Sequence, residues 1–188
     1  MFRFFICGLM VVFSVLMGSL SAFAGQNSVY TDVDTSVCQL VSEAEEGDGE
    51  WARFRCGGIQ GLAVFVTEAD LRFALGYGPN WQRQKSNSQF LSPFNTIGKK
   101  LEWRLQAGRV VATILRYYTD EGSGGRKGQI LVVSKVSKGA ACHVAYVDAL
   151  ANKGANQLAR WAADFAAPEF DCAKDEPMHL GRRGASPF

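Results

Sequence analysis

The chain has 188 residues, of which 20 are Lys or Arg and 18 are Asp or Glu, so its formal net charge is +2 at neutral pH. Charges of both signs are interspersed, which gives no concentrated basic face of the kind that tracks phosphates, and we expect no nucleic-acid partner. The length suits one globular domain with a sizeable core.

Residues 1–24 have the pattern of a cleavable secretory signal. Arg3 supplies the positive charge, an apolar stretch covers residues 4–20, and Ala22-Phe23-Ala24 has small residues at the two positions that a signal peptidase reads. The apolar stretch is interrupted and too short to span a bilayer comfortably. We therefore predict a periplasmic or secreted protein that keeps no membrane anchor after cleavage.

The cysteines beyond the signal predict disulfides. An even number of cysteines in an exported chain favours pairing, because the compartment is oxidising. Three pairings are open, and sequence neighbours close the shortest loops, so we favour the one that makes two local bridges. These are Cys38 with Cys56 and Cys142 with Cys172.

Short strands separated by turns dominate the first half of the domain. Ala52, Phe54 and Cys56 share one face of a strand, and residues 62–66 and 71–77 are typical of a hairpin that turns at Glu68 to Asp70. The acidic residues between positions 43 and 50 indicate a solvated turn.

Residues 79–100 are predicted to form a polar loop. A loop of this length is unusual in a compact domain unless it binds something. The loop mixes aromatic and basic side chains, which makes it the candidate binding surface. Its candidate contacts are Trp81, Arg83, Lys85, Phe90 and Phe94.

The clearest strand begins at Leu101. In it the apolar residues Leu101, Trp103 and Leu105 alternate with polar residues. It opens a predicted meander that continues through residues 110–118, 129–136 and 142–147. The glycine-rich residues 122–128 join two of these strands. They are no phosphate cradle, because a strand follows them and Lys127 is followed by glycine.

One C-terminal helix is predicted, with Asn152 as its cap and Pro168 after its end. Its expected buried stripe consists of Ala155, Leu158, Trp161, Ala162 and Phe165. The predicted fold is α+β, an antiparallel sheet of about seven strands with this helix packed on it. Residues 25–172 form the domain, and residues 173–188 are expected to be a flexible tail.

The sequence predicts no metal site and no cofactor. Asp32, Asp34 and Glu43 match part of the spacing of a calcium loop, but Val37 stands where that loop needs glycine. Metal binding elsewhere would need more ligands than His143 and the cysteines already assigned to bridges.

No catalytic residue is assigned either. His143 adjoins Cys142 in a strand, where neighbouring side chains point to opposite faces and cannot form a nucleophile and base pair. Glu68 and Asp70 are the nearest carboxylate pair, and they leave a carboxylate-dependent hydrolase open as an alternative.

Four segments resemble a family of small exported bacterial proteins. The resemblance covers most of the mature chain and implies export and a single domain, with no activity and no site residues to carry over. The segments are Tyr30 to Asp34, residues 68–73 with 77–79, residues 100–105, and residues 143–152.

The function expected from the sequence is that of a non-enzymatic exported binding protein. An envelope protein or an anionic wall polymer is the expected kind of partner, while the oligomeric state stays open. Three alternatives are an inhibitor of a cell-wall hydrolase such as lysozyme, the carboxylate-dependent hydrolase, and a structural component of the envelope.

Overall fold

A computed structural model describes residues 27–188. The predicted signal segment lies outside the described residues. The strands are β1 (Asn27–Asp32), β2 (Gln39–Glu43), β3 (Trp51–Ile59), β4 (Leu62–Ala69), β5 (Arg72–Tyr77), β6 (Phe94–Ile97), β7 (Lys100–Gln106), β8 (Arg109–Asp120), β9 (Lys127–Ser137), β10 (Ala140–Asp148) and β11 (Met178–Leu180). Helix α1 (Ala155–Trp161) continues into a π-helical turn (Ala162–Ala166), and two 3₁₀ turns cover Trp81–Arg83 and Lys85–Asn87.

The strands form two sheets. The larger sheet has the order β1-β7-β8-β9-β10-β11, with β6 paired to the far end of β8, and the smaller has the order β2-β3-β4-β5. The predicted meander is confirmed as β7 to β10, and the predicted hairpin as β4 and β5. The α+β class also holds, but the expected antiparallel sheet is wrong in two respects. The strands form two sheets instead of one, and β11 pairs with β10 in parallel, which makes the larger sheet mixed.

The main core lies between the two sheets. Val64 and Val66 from β4 belong to the same buried cluster as Trp103 and Tyr117 from the larger sheet. Tyr77 of β5 meets the Trp103 ring edge-on at 5.9 Å between centroids. Alternate residues of a strand point to the same side, so Val64 and Val66 on β4 and Leu101 and Trp103 on β7 bury one face of each sheet against the other.

The helix packs on the opposite face of the larger sheet through small residues. Ala155, Ala159, Ala162 and Ala163 are buried there. The predicted stripe is wrong at its aromatic positions, because Trp161 is 50% exposed and Phe165 is 59% exposed. Alanines allow a close approach to the sheet that bulky aromatic side chains would prevent. No helix among residues 27–188 is long and apolar enough to cross a membrane.

Residues 173–188, expected to be a flexible tail, follow the surface of the domain and include β11. Asp148, at the end of β10, accepts hydrogen bonds from the Gly184 backbone N–H at 3.0 Å and from the Ser186 hydroxyl at 2.8 Å. Asn152 does not cap the helix with its side chain. Its amide instead accepts from the Arg182 N–H at 2.9 Å and donates to the Arg182 carbonyl at 2.8 Å.

Two disulfides link the chain in the favoured pairing. Cys38 joins Cys56, which lies on β3, and Cys142 on β10 joins Cys172 beyond the helix. Both bridges restrict the unfolded chain and so stabilise the folded domain. Intramolecular disulfides indicate an oxidising, extracytoplasmic environment.

Candidate ligand-binding cleft

The structure does not bring the five predicted contacts of residues 79–100 together. Trp81 is 6% exposed and its ring stacks on Phe65 at 4.7 Å between centroids, so it supports the smaller sheet and is not available to a partner. The sequence predicted Trp81 as a surface contact because the residues around it are polar, and this pattern does not show that Trp81 itself is buried. Gly76 makes room for it, since a Cβ there would come within 2.8 Å of the Trp81 Cβ.

The other four predicted contacts lie at separate places. Arg83 is exposed on the first 3₁₀ turn, and Lys85 lies 3.8 Å from the Glu176 carboxylate. Phe90 lines a shallow depression beside Trp51. Among the five, only Phe94 lines a cleft between the two sheets.

That cleft has a volume of about 780 Å³ and opens where one end of the smaller sheet meets the larger one. Its walls come from the β4–β5 turn, β6, the ends of β8 and β9, and the connection after β10. Four large apolar side chains line it although they are exposed, namely Leu71 (57%), Phe94 (41%), Tyr118 (44%) and Leu150 (62%). Exposed apolar side chains scattered singly are ordinary, whereas several around one concave surface mark a binding site.

Leu71 reaches the cleft from an unusual backbone conformation. It follows Asp70 in a two-residue turn between β4 and β5, and both residues have positive φ, 57° for Leu71 and 52° for Asp70. Such turns normally take Asn-Gly, because a side chain in the left-handed region is strained. A leucine held there, with its side chain in a cleft, points to a use other than stability.

Asn95 of β6 holds this turn in place. Its backbone N–H donates to the Leu71 carbonyl at 2.9 Å, and its side-chain oxygen accepts from the Phe73 N–H at 3.0 Å. Its amide nitrogen donates to the carbonyls of Leu91 and Pro93. Because Asn95 is buried and fully bonded, it fixes the Leu71 and Phe94 sides of the cleft relative to each other.

Leu150 is positioned from the other side by the Asp148 carboxylate. Asp148 Oδ1 accepts from the backbone N–H groups of Leu150 at 2.9 Å and Ala151 at 3.1 Å. Burial would raise the pKa of Asp148, but the hydrogen bonds from Ser186 and from these backbone groups outweigh it and lower the pKa. Asp148 therefore stays ionised and holds both the cleft wall and the C-terminal segment.

Three charged side chains line the cleft: Glu68, Asp120 and Lys127. Lys127 Nζ lies 2.9 Å from Asp120 Oδ2 across the β8–β9 pair. The hydrogen bond from Lys127, with a second from the Gly122 N–H, lowers the pKa of Asp120. Glu68 is half-buried on β4, opposite Phe73 of β5.

The predicted carboxylate pair is divided between two surroundings. Glu68 lines the apolar cleft, whereas Asp70 forms an ion pair with Arg72 and lines the shallow depression beside Trp51. The turn between β4 and β5 causes the separation, because its left-handed residues end the alternation of the strand. The cleft instead places Glu68 and Asp120 on its walls, a combination that no sequence spacing indicated.

Comparison with protein-family models, curated proteins and solved structures found no match to this chain. The resemblance to a family of small exported bacterial proteins stays a prediction. Within residues 27–188 the cleft belongs to a disulfide-linked α+β fold of two sheets and one short helix.

Proposed function

We propose that the protein is an exported binding protein, periplasmic or secreted, that takes the apolar part of its ligand into the cleft. The observation that carries this proposal is the convergence of Leu71, Phe94, Tyr118 and Leu150 around about 780 Å³ of open volume. Protein pockets for small ligands have volumes of roughly 300–1,000 Å³ and are lined mainly by apolar side chains.

Support for export comes from two independent features. The disulfides need an oxidising compartment to persist. The first 24 residues, outside the described part, carry the sequence pattern of a signal.

Binding fits the cleft better than hydrolysis does. A general acid that works at neutral pH needs a raised pKa, and the hydrogen bond from Lys127 moves the pKa of Asp120 in the opposite direction. The inhibitor and envelope alternatives stay predictions from the sequence.

Leu71→Gly tests the proposal without endangering the fold. Glycine suits the left-handed turn, so the melting temperature should not fall by more than a few degrees, while the cleft loses one apolar wall. We expect the neutral fluorescent probe N-phenyl-1-naphthylamine to bind the wild type with one site and to bind this variant about tenfold more weakly. Fluorescence titration and thermal unfolding measure the two quantities.

The matched control is Leu40→Ala, which removes an exposed leucine of the edge strand β2, outside the cleft. It should leave probe binding unchanged. A wild-type protein that binds no probe, or a loss of binding that is equal in the two variants, would contradict the proposed function.

A further inference from the structure

The two carboxylates that line the cleft differ in their ion-pair partners. Asp120 has Lys127 at 2.9 Å, whereas the Glu68 carboxylate has no ion pair or side-chain hydrogen bond within residues 27–188. The lining therefore carries two carboxylates and one ammonium group, with the surplus negative charge on Glu68.

Glu68 lies against apolar surface. It is half-buried, faces Phe73 across the β4–β5 pair, and shares the cleft with Phe94. Partial removal from water strengthens the attraction of a carboxylate for an opposite charge. Aromatic faces nearby add to that attraction when the charge is a cation.

An anionic ligand would bind unfavourably in the same cleft. The cleft's ammonium group, on Lys127, is already engaged with Asp120, so an anionic ligand would have to break that pair and also approach Glu68. The anionic wall polymer expected from the sequence is therefore disfavoured as the occupant of this cleft.

We propose that the ligand is a small amphipathic cation, with its ammonium or guanidinium group beside Glu68 and its apolar body against Leu71, Phe94, Tyr118 and Leu150. This inference rests on the proposed function and adds the charge of the ligand to it. Glu68 is then the residue that selects among apolar ligands by charge.

A series of ligands with one tail and three head groups tests the charge. Dodecylammonium, dodecanol and dodecanoate, each below its micelle concentration, are titrated against protein that carries N-phenyl-1-naphthylamine. We expect dodecylammonium to displace the probe at a concentration at least about tenfold lower than dodecanoate does, with dodecanol between them.

Glu68→Gln should remove the preference for the cation and leave the affinity for dodecanol and for the neutral probe within about twofold. Glu46→Gln, an exposed carboxylate of the β2–β3 turn, is the matched control and should keep the preference. Raising the salt concentration should weaken dodecylammonium more than dodecanol in the wild type.

The outcomes separate the two proposals. If the probe binds in the cleft but the head groups are not distinguished, or if dodecanoate binds best, the cationic ligand is ruled out and the binding function stands. If Glu68→Gln keeps the full preference for dodecylammonium, Glu68 is not the selecting residue and the inference fails. If no probe binds to the wild type, the proposed function itself fails.

Discussion

Replacing Arg104 with methionine is expected to lower the free energy of unfolding by about 3 to 5 kcal/mol, the largest effect of any single substitution that we predict. Arg104 lies on β7 beneath the helix, and its guanidinium binds Asp164 with Nε–Oδ1 at 2.9 Å and Nη2–Oδ2 at 2.7 Å. Both side chains are buried. Urea unfolding of the wild type and the variant at neutral pH measures the difference.

The cost arises from the carboxylate that the substitution leaves behind. Both oxygens of Asp164 have Arg104 as their hydrogen-bond partner, so the variant buries an unpaired negative charge. The same guanidinium also donates to the Ser28 hydroxyl at 2.5 Å and lies 3.4 Å from Glu102. Loss of Arg104 thus weakens the attachment of both β1 and the helix to β7.

A second ion pair links Glu102 to the helix. Arg160 Nε donates to Glu102 Oε1 at 2.7 Å, and its Nη2 donates to the Tyr30 hydroxyl at 3.1 Å. Burial would raise the pKa of Glu102, but hydrogen bonds from Arg160 and Ser28 and the charges of Arg160 and Arg104 lower it. Arg160 is partly exposed, so its removal should cost less than removal of Arg104.

Two further variants identify the cause of the expected loss. Adding Asp164→Leu to Arg104→Met should recover much of the stability, because an apolar pair replaces the buried ion pair. Lys99→Met, which breaks the exposed pair with Asp34, should cost less than about 1 kcal/mol. If Arg104→Met costs no more than Lys99→Met, the buried network does not stabilise the helix on the sheet.

The strands with strong alternation were predictable from the sequence. Leu101, Trp103 and Leu105 marked β7, and the glycine-containing turns separated β8, β9 and β10 in the right order. Here burial on one face dictates the pattern, so local sequence and tertiary structure agree. The two disulfides were also predictable, because each joins cysteines that are neighbours among the cysteines of the sequence.

Elements whose partners lie far away in the sequence were missed. The strand β11 has three residues and pairs with β10, and Asp148 holds the segment that follows it through Gly184. Neither contact leaves a local pattern in the sequence. The buried face of the helix was predicted wrongly for a related reason. Aromatic residues at helical spacing suggested the buried face, but Asp164 and the alanines face the sheet because Arg104 lies there to receive the carboxylate.

The cleft could be predicted only in part. Phe94 was identified through its place in a long loop, and Glu68 through its carboxylate, but Leu71, Tyr118 and Leu150 come from other segments. The one local signal that was available is the turn at Asp70 and Leu71, where a two-residue hairpin lacks glycine. A leucine at such a position is a sequence-level reason to look for a functional site.

The second large effect concerns pH and the buried His143. Burial alone lowers the pKa of His143 to about 3, and its Nδ1 lies 2.9 Å from the Tyr146 hydroxyl. In the unfolded chain a histidine has a pKa of about 6.5. Between these two pKa values the unfolded state binds a proton at His143 and the folded state does not. The stability that is present above pH 6.5 is therefore lost as the pH falls toward about 3.

The size of this effect follows from the two pKa values. Between pH 7 and pH 4 the wild type should lose about 3 kcal/mol through His143 alone, in addition to what its carboxylates contribute. His143→Gln removes the titration while glutamine can still bond the Tyr146 hydroxyl. The variant is therefore expected to be less stable than the wild type at pH 7 and to lose about 3 kcal/mol less on acidification.

Urea unfolding at several pH values between 7 and 4, with both disulfides intact, measures the difference. His179→Gln is the control, because His179 is exposed on β11. Partial burial and the charge of Arg183 lower its pKa less than full burial lowers the pKa of His143. It should change the pH dependence less than His143→Gln does. Equal pH profiles for the wild type and His143→Gln would mean that His143 takes up its proton in the folded protein, which would require water or a charge to reach it beside Tyr146.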